Sequence, residues 1–379
     1  MALRSSVVTA PSDVVVVGAG IIGCAVAFEL AERGATVTIV DDRAPGMGAT
    51  QASAGMLAPY LEAPEGGELL ELTIRSLDLF DGFVGRATSA SGAAVEYRRT
   101  GTLEVAAPGD ALRKLSAAAQ CLARRGVPAE LVDADGVRGE EPHLTGDVAG
   151  GLVVHPHGFV AAGALTHALA AAAQRLGAQI ADHGRARRIL PAAHEIVVET
   201  DRGSVTGRWA VLAAGSWAGQ IAIEGIGTRV PVRPVRGQLL QLAWSGPPLR
   251  RVVWSERCYL VPWQDGTVLV GATVEEAGFD ERTTIAGVRD LIDAACDLVP
   301  HAWTAALVSA RAGLRPGTAD ELPIVGPSSV VPNLMYATGH YRNGVLLSPL
   351  TAQLVAEAIL ENRVDPILTS TRPGRFGAL

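Results

Sequence analysis

The first forty residues arrange apolar and glycine-rich segments in the order strand, helix, strand. Residues 13–17 form a valine run typical of a short buried strand, and residues 18–23 follow it directly. An apolar helical run extends over residues 24–30, and a second strand is predicted over residues 35–40, with Asp41 at its end. This order predicts the start of a parallel α/β sheet.

The remaining pattern predicts more helices and two kinds of strand. Helical periodicity covers residues 68–83, a segment starting at residue 110, and residues 161–176. Further strands are predicted over residues 101–105, 150–154 and 208–217. Alternating or β-rich segments separated by turn residues cover residues 237–243, 258–262 and 267–272. The last group predicts antiparallel strands of a second sheet, distinct from the parallel one.

Gly18, Gly20 and Gly23 form a GxGxxG fingerprint between the first predicted strand and helix. In this context the first glycine allows a tight turn, the second lets the backbone approach a pyrophosphate, and the third lets the helix pack on the strand. Asp41 lies at the distance along the chain where an acidic residue accepts hydrogen bonds from a ribose. Because strand, fingerprint, helix, strand and acid occur together, the sequence predicts a dinucleotide site.

Composition narrows the class of ligand. The 379 residues are 48% hydrophobic and 19% charged with a net charge of −7, which favours small metabolites over nucleic acid or an anionic membrane. Lys114 is the only lysine, so a Schiff-base cofactor is disfavoured. Cys24, Cys121, Cys258 and Cys296 show no metal-binding or redox spacing, which predicts reduced cysteines in a cytoplasmic protein. The glycines in the N-terminal apolar run indicate a nucleotide-binding element rather than a signal peptide, and no segment has the ~18 apolar residues of a membrane span.

Two further segments have the composition of a binding site. Residues 313–345 place Arg315 and Arg342 among glycine and proline turn residues, and arginine binds carboxylates bidentately, which predicts an anion site. Residues 46–57 are rich in glycine and hydroxyl side chains, which suits a segment that passes a bound cofactor.

Six segments, in the same order over nearly the whole chain, resemble the D-amino acid oxidase superfamily of flavoenzymes. The resemblance is closest to the bacterial glycine oxidases of thiamine biosynthesis. The segments are residues 17–23 (VGAGIIG), 53–57 (SAGML), 258–262 (CYLVP), 270–273 (VGAT), 313–318 (GLRPGT) and 339–344 (GHYRNG).

The resemblance implies FAD bound noncovalently, since no cysteine lies near residues 313–316, where related sarcosine oxidases attach their flavin. Residues 342–346 are expected to lead into a helix whose N-terminal amides stabilise the anion of reduced flavin. The implied cofactor contacts are Gly18, Gly20, Ile21, Ile22, Gly23, Asp41, Asp42, Thr50, Gln51, Ser53, Ala54, Gly55, Met56, Leu57, Ala186, Ala214, Gly215, Trp217, Gly313, Arg315, His340, Tyr341, Arg342, Asn343, Gly344, Val345 and Leu346.

The resemblance also implies a catalytic set of three residues. Arg315 corresponds to the carboxylate-binding arginine, Tyr259 donates a hydrogen bond to the same carboxylate, and Arg342 lies on the rim or near the substrate amine. The expected reaction transfers a hydride from a small amino acid to flavin, giving an imine that hydrolyses to an oxoacid, with dioxygen reduced to hydrogen peroxide. No side-chain base or metal is needed. The expected partners are a small amino acid, dioxygen and further copies of the chain, a homotetramer by resemblance.

The implied fold is α/β, or α+β overall: a Rossmann-like FAD-binding domain with an inserted antiparallel-sheet substrate domain. The predicted FAD-binding domain is discontinuous and covers residues 1–85, 146–218 and 305–379. The predicted substrate-binding domain covers residues 86–145 and 219–304.

Three positions depart from the family pattern, and several functions stay open. Asp41 replaces the more common glutamate, Trp263 replaces a basic residue of close relatives, and Val274 replaces a methionine near the substrate of one relative. The last two leave the preferred amino acid open. The alternatives are a D-amino acid oxidase or a dehydrogenase of broader specificity, a non-catalytic flavin-binding subunit of a larger oxidase, and, from the N-terminal motif alone, an NAD-dependent dehydrogenase.

Overall fold

The computed structural model describes residues 12–62, 66–182 and 184–379, so the first eleven residues of the predicted FAD-binding domain lie outside the described residues. Within these ranges the strands are β1 (Ser12–Val17), β2 (Val37–Asp41), β3 (Met56–Leu57), β4 (Tyr97–Arg98), β5 (Thr102–Ala106), β6 (Ala129–Asp133), β7 (Gly150–Val154), β8 (Gly158–Val160), β9 (Gln179–Asp182), β10 (Ala186–Pro191), β11 (Ile196–Thr200), β12 (Gly203–Leu212), β13 (Ala222–Ile223), β14 (Arg233–Ala243), β15 (Val252–Trp254), β16 (Tyr259–Pro262), β17 (Thr267–Gly271), β18 (Ala306–Gly317), β19 (Ile324–Pro327) and β20 (Leu334–Thr338).

The helices connect these strands. The α-helices are α1 (Ile21–Glu32), α2 (Pro59–Glu62), α3 (Glu68–Ser91), α4 (Asp110–Arg124), α5 (Ala134–Glu140), α6 (Ala162–Arg175), α7 (Ile285–Leu298) and α8 (Ser348–Leu360). Short 3₁₀ helices cover Ala49–Ala52, Gly215–Gln220, Pro300–Thr304, Pro366–Thr369 and Pro373–Phe376. The structure confirms the predicted helices, but α3 continues to Ser91 because Val84 and Ala87 extend its buried face.

The first sheet has nine strands around a parallel centre. Strands β20, β12, β1, β2 and β9 are parallel neighbours in that order, and β10, β11, β13 and β19 extend the sheet. The valines of β1 are almost fully buried because both faces of the sheet are covered. Val14 and Val16 pack in one core with α1, α3, α6 and α8, whereas Val15 and Val17 belong to a second core on the opposite face.

The second sheet has eight strands in the order β18, β14, β17, β16, β15, β5, β7, β6. Its pairs are antiparallel apart from β5 with β15. One face packs under α7, and the other contributes Leu239, Val261 and Leu269 to a small core with Ala54 and Phe159. The strands therefore alternate between a helix-covered face and a face turned toward the segment around residue 54.

The mixed α/β architecture with a parallel and an antiparallel sheet confirms the predicted fold class. Two segments assigned by sequence to the FAD-binding domain, β7 and β18, pair within the eight-stranded sheet. The glycines and prolines around Arg315 predict turns, but this region is the end of the twelve-residue strand β18. Eleven cross-strand pairs with β14 hold this segment extended, which outweighs the local turn preference. The division into two domains stays a prediction.

Among the described residues, no helix combines the length and the apolar character required to cross a membrane.

Candidate active site and cofactor cavity

A cavity of about 420 Å³ lies where the carboxyl ends of β1, β2, β12 and β20 meet at one edge of the parallel sheet. Open α/β sheets bind ligands in this position. Among the predicted site residues, those that line it are Gly18, Gly20, Ile21, Ile22, Asp41, Asp42, Thr50, Ser53, Ala54, Gly55, Met56, Ala186, Ala214, Gly215, Trp217, Tyr259, Arg315, His340, Tyr341, Arg342, Asn343, Gly344 and Val345.

The three fingerprint glycines have different surroundings. Gly18 has a φ of +111°, and a Cβ atom there would lie 2.5 Å from the carbonyl oxygen of Ala213. A Cβ atom at Gly23 would overlap the carbonyl oxygen of Gly18, so helix and strand pack too closely for a side chain. At Gly20 the nearest atom to a Cβ would be Thr50 Oγ1 at 3.7 Å, so a methyl group would occupy open cavity instead. Gly18 and Gly23 thus shape the turn, and the missing side chain of Gly20 leaves the cavity open beside the N-terminus of α1.

Asp41, at the end of β2, binds the turn that contains Gly18 and Gly20. Its carboxylate accepts hydrogen bonds from the backbone N–H of Ala19 at 2.6 Å and of Arg43 at 2.9 Å. Burial raises the pKa of Asp41 above its ordinary value, and the two backbone hydrogen bonds oppose this rise. Gly20, the residue before α1, has no side chain that could cap the helix, and the N–H of Ile21 donates instead to Thr50 Oγ1 at 3.2 Å. A helix N-terminus of this kind suits an anionic ligand.

Arg43 connects the cofactor end of the cavity to the second sheet. Its guanidinium lies 4.6 Å from the centroid of the Trp217 ring and binds both carboxylate oxygens of Glu281, at 2.9 and 3.0 Å. The ring of Phe279 packs against the ring of Trp217, and the two ring centroids are 6.0 Å apart. Glu281 and Phe279 belong to the loop that follows β17, so this stack joins the two sheets across the cavity.

The segment predicted to pass the cofactor is fixed by Gly55. Its φ of +66° favours glycine, and a Cβ atom would overlap the carbonyl oxygen of Val160 on the neighbouring strand. Ser53 Oγ accepts the N–H of Gly55 at 3.2 Å. This close approach presents Ser53, Ala54 and Met56 to the cavity.

Arg315 enters the cavity from the second sheet by lying across strand β14. Its Nη1 donates hydrogen bonds to the carbonyl oxygens of Thr273 at 3.0 Å and Arg236 at 3.4 Å. A Cβ atom added at Gly237 would overlap the guanidinium, so the missing side chain of Gly237 gives Arg315 its place.

Tyr259 also reaches the cavity across a glycine of the neighbouring strand. Its phenol ring lies over Gly271, the residue directly opposite in the β16–β17 pair, and a Cβ atom on Gly271 would overlap the ring. On another side the ring centroid is 5.3 Å from that of Trp254, which also lines the cavity. The structure therefore brings Tyr259 and Arg315 to one cavity, each beside a glycine of a neighbouring strand.

The segment before α8 completes the cavity wall. Tyr341 has a φ of +47° and receives the guanidinium of Arg342 over its ring, 5.1 Å from the centroid. His340 is buried and its Nε2 lies 3.0 Å from Thr351 Oγ1. Burial lowers the pKa of His340 to about 3, so the ring is neutral at physiological pH. Helix α8 begins at Ser348, a few residues after this segment, as the sequence predicted.

Five predicted cofactor contacts do not line the cavity: Gly23, Gln51, Leu57, Gly313 and Leu346. Gly23 and Gly313 serve close packing, since a Cβ on Gly313 would lie 2.8 Å from the Cβ of Ala52. Leu57 and Leu346 are buried in the core of the parallel sheet. The side-chain amide of Gln51 donates a hydrogen bond to the carbonyl oxygen of Met47.

The sequence interpretation missed part of the lining. The largest missed group covers the end of β15 and the turn that leads to β16. Others follow β2, lie at the start of β10 or lie at the end of β17, opposite Tyr259. These residues include Arg43, Arg185, Arg187, Trp254, Ser255, Glu256, Arg257, Cys258, Gly271 and Ala272. Val274, noted for its departure from the family pattern, also lines the cavity. The only sequence signal for the turn was its position next to Tyr259.

The glycine cradle formed by Gly18, Gly20 and Gly23 lies in the same cavity as Arg315 and Tyr259, or directly behind its wall in the case of Gly23. A phosphate-binding turn of this kind, at the carboxyl edge of a parallel sheet and beside a cationic side chain, defines a dinucleotide-dependent enzyme. The family model described as "FAD dependent oxidoreductase" (DAO) matches residues 13–358, and the chain belongs to this family. The cofactor is therefore FAD, and the NAD-dependent alternative is wrong.

Known relatives agree with this assignment. The chain is 35% identical to the "Bifunctional protein ThiO/ThiG" of Nostoc sp., over 94% of its own length and 54% of that protein. It therefore spans about half the length of the first curated relatives it matches. It is 32% identical to the "Glycine oxidase" of Geobacillus kaustophilus, over 92% of each chain. The crystal structure of a glycine oxidase from that organism superposes with a TM-score of 0.92 and covers 97% of this chain and 99% of the other.

Proposed function

We propose that this protein is an FAD-dependent oxidase of glycine and other small amino acids, including sarcosine and small D-amino acids. The products are an imine, which hydrolyses to an oxoacid and ammonia, or methylamine when sarcosine is the substrate, and hydrogen peroxide from dioxygen. The observation that carries the proposal is the convergence of the Arg315 guanidinium and the Tyr259 phenol on the cavity that also contains the glycine cradle. Two relatives bear the names glycine oxidase and ThiO/ThiG, which supports a role in the thiazole pathway of thiamine biosynthesis.

The side chains of the second sheet suit an α-amino acid. A planar guanidinium with fixed orientation binds a carboxylate bidentately, and a phenol donates a further hydrogen bond to it. The hydrogen bonds from Arg315 Nη1 to Thr273 and Arg236 hold the guanidinium against β14. With the carboxylate fixed at two points, the Cα–H bond of the substrate has one orientation, which lowers the entropy cost of reaction.

FAD, when bound in this cavity, supplies the hydride acceptor. Gly18, Gly20 and the N-terminus of α1 would hold its pyrophosphate, and Asp41 its ribose. The buried neutral ring of His340 bonds to Thr351 and is therefore unsuited to acid–base chemistry. The substrate amine must lose its proton to solvent before or during binding, because hydride transfer requires the amine lone pair.

The test is the absorbance of the purified yellow protein without oxygen, on adding glycine, sarcosine, D-alanine and D-proline in turn, and then air. Bleaching by glycine with rapid recovery in air supports the proposal, whereas bleaching only by bulkier D-amino acids indicates a D-amino acid oxidase. Bleaching with very slow recovery in air indicates a dehydrogenase. Failure of every amino acid to bleach the flavin refutes the proposal and favours a non-catalytic subunit.

Arg315→Ala tests the carboxylate site directly. We expect kcat/KM for glycine to fall about 100-fold or more, because a charge-assisted bidentate contact is lost. Arg233→Ala is the matched control, since Arg233 begins β14 and its side chain pairs with exposed Glu276 outside the cavity. Equal activity of the two variants would contradict the assignment.

The assembly and the compartment belong to the same proposal. A cytoplasmic homotetramer is the expectation from the family resemblance, and light scattering of the purified protein measures the assembly.

A further inference from the structure

Glu275 lies in a hydrogen-bond network just outside the cavity wall. Its backbone pairs with that of Arg236 in both directions, at 2.9 Å each. One carboxylate oxygen accepts from Gln238 Nε2 at 2.7 Å and from the Thr273 hydroxyl, and the other accepts from Arg236 Nε at 3.1 Å and from its Nη2. One carboxylate therefore receives four hydrogen bonds from three side chains.

The same residues hold Arg315. The two carbonyl oxygens that accept hydrogen bonds from Arg315 Nη1 belong to Thr273 and Arg236, whose side chains both bind the Glu275 carboxylate. Thr273 is also held by the backbone of Gln238. The Thr273 N–H donates to the Gln238 carbonyl oxygen at 3.2 Å, and the Gln238 backbone N–H donates to the Thr273 hydroxyl at 2.9 Å. A shift of Glu275 would therefore move both acceptors of Arg315.

The charges in this network keep Glu275 ionised and bound to Arg236. Arg236 is buried, and its guanidinium binds Glu275 and, at 3.2 Å, Asp280. Burial works against ionisation of Glu275, but hydrogen bonds from Thr273, Arg236 and Gln238 outweigh it and hold its pKa below the ordinary value. Glu275 is therefore ionised at neutral pH, and removing its charge would leave the buried Arg236 cation with less compensation.

We propose that Glu275 is a positioning residue for the substrate carboxylate site: it fixes Thr273 and Arg236 so that Arg315 presents its guanidinium to the cavity. This inference rests on the proposed function, because the ligand of Arg315 is taken to be an amino-acid carboxylate.

The test uses the FAD-loaded protein and two neighbouring variants. Glu275→Gln removes the central charge. Glu276→Gln makes the same change at the next residue, which is exposed and, within the described part of the chain, forms its ion pair with Arg233 at the surface. Binding of acetate, a substrate-sized carboxylate that cannot be oxidised, is measured from the change in flavin absorbance, together with KM and kcat for glycine and the dissociation constant of FAD. Arg315→Ala defines the loss of the carboxylate site.

For Glu275→Gln we expect the acetate dissociation constant and KM to rise about tenfold, with kcat within about twofold and FAD affinity unchanged. Glu276→Gln should retain wild-type values. A second pair keeps the test decisive if Glu275→Gln folds poorly: Thr273→Val removes the hydroxyl bound to Glu275 and should weaken acetate binding, and Thr273→Ser should restore it.

Unchanged acetate affinity in Glu275→Gln, or equal losses in both glutamate variants, overturns the inference. Parallel losses of FAD affinity and acetate affinity also overturn it, since they indicate a general structural role. Acetate binding requires no turnover, so a protein that binds acetate through Arg315 but oxidises no amino acid would refute the proposed function, while the acetate dissociation constants of the variants would still show whether Glu275 positions Arg315.

Discussion

Gly237→Ala is the sharpest perturbation of the candidate site, because it adds one methyl group and changes no charge. The new Cβ atom would overlap the Arg315 guanidinium, whereas ordinary contact begins at 3.4 Å. Since the obstructing atoms are the far end of a long side chain, the fold can accept the methyl group if the guanidinium retreats by about 1 Å. The variant should therefore fold and bind FAD but misplace Arg315.

The expected loss follows from the contacts that this movement breaks. Arg315 Nη1 would lose its 3.0 Å hydrogen bond to the Thr273 carbonyl. Without that bond the guanidinium can no longer align both of its N–H groups with a carboxylate. Losing one of the two hydrogen bonds to the charged ligand costs about 1.5–3 kcal/mol, which corresponds to about 10- to 150-fold in binding. We therefore expect kcat/KM for glycine and the affinity for acetate to fall within this range.

Steady-state peroxide production and acetate titration measure these effects, and thermal unfolding with FAD titration checks the fold. The control is Gly227→Ala, because Gly227 is exposed and nothing lies within 4 Å of a Cβ atom added there. Wild-type kcat/KM and acetate affinity in Gly237→Ala would refute the claim that Gly237 places Arg315. Lost FAD binding would equally refute it, since the atoms nearest to the new methyl group belong to the Arg315 guanidinium.

Three further predictions concern the cofactor cavity and its surroundings. Gly20→Ala should fold normally but weaken FAD binding about tenfold, because its methyl group enters the open cavity. Gly23→Ala should instead lower the melting temperature of the apoprotein, because its methyl group overlaps backbone atoms. FAD titration measures the first effect and calorimetry the second. His340 has a folded pKa of about 3 against an ordinary 6.5, so the stability it contributes as a neutral ring is lost as pH falls from about 6.5 toward 3. Acid unfolding of the wild type should take up about one proton more than that of His340→Gln, and equal pH slopes would contradict this. Arg43→Ala should weaken FAD binding several-fold through loss of the stack on Trp217 without changing KM, as fluorescence titration and kinetics would show.

The cofactor half of the site could be predicted because its signals are local. The fingerprint glycines, the valine strand before them and Asp41 at the end of the next strand lie within thirty residues of one another. Their conformations follow from positive φ, from close packing and from the buried parallel sheet, each of which restricts the sequence directly. Asp41, Gly18 and Gly20 accordingly lie at the cavity.

The proposed substrate half of the site was less predictable because it depends on pairing between distant strands. The local sequence predicts turns around Arg315, since nothing local reveals that β14, some eighty residues earlier, holds this residue in an extended strand. Gly237 and Gly271 look like ordinary strand glycines, and only the register shows that they make room for Arg315 and Tyr259. Arg43 binds Glu281, 238 residues away, which no local pattern could indicate.

The register of the second sheet, rather than the residue types alone, decides whether its side chains form a binding site. Along β16, Tyr259 and Val261 face the small core beside Ala54, whereas Leu260 faces the core under α7. Because side chains alternate along a strand, a one-residue slip in β16 would turn Tyr259 under the helix and remove it from Gly271. The buried leucines and valines on both faces oppose such a slip, since it would also expose them or exchange their cores. The hydrophobic packing of the antiparallel sheet is therefore what fixes the phenol at the cavity, and a carboxylate site could not persist on a sheet whose register was weakly specified.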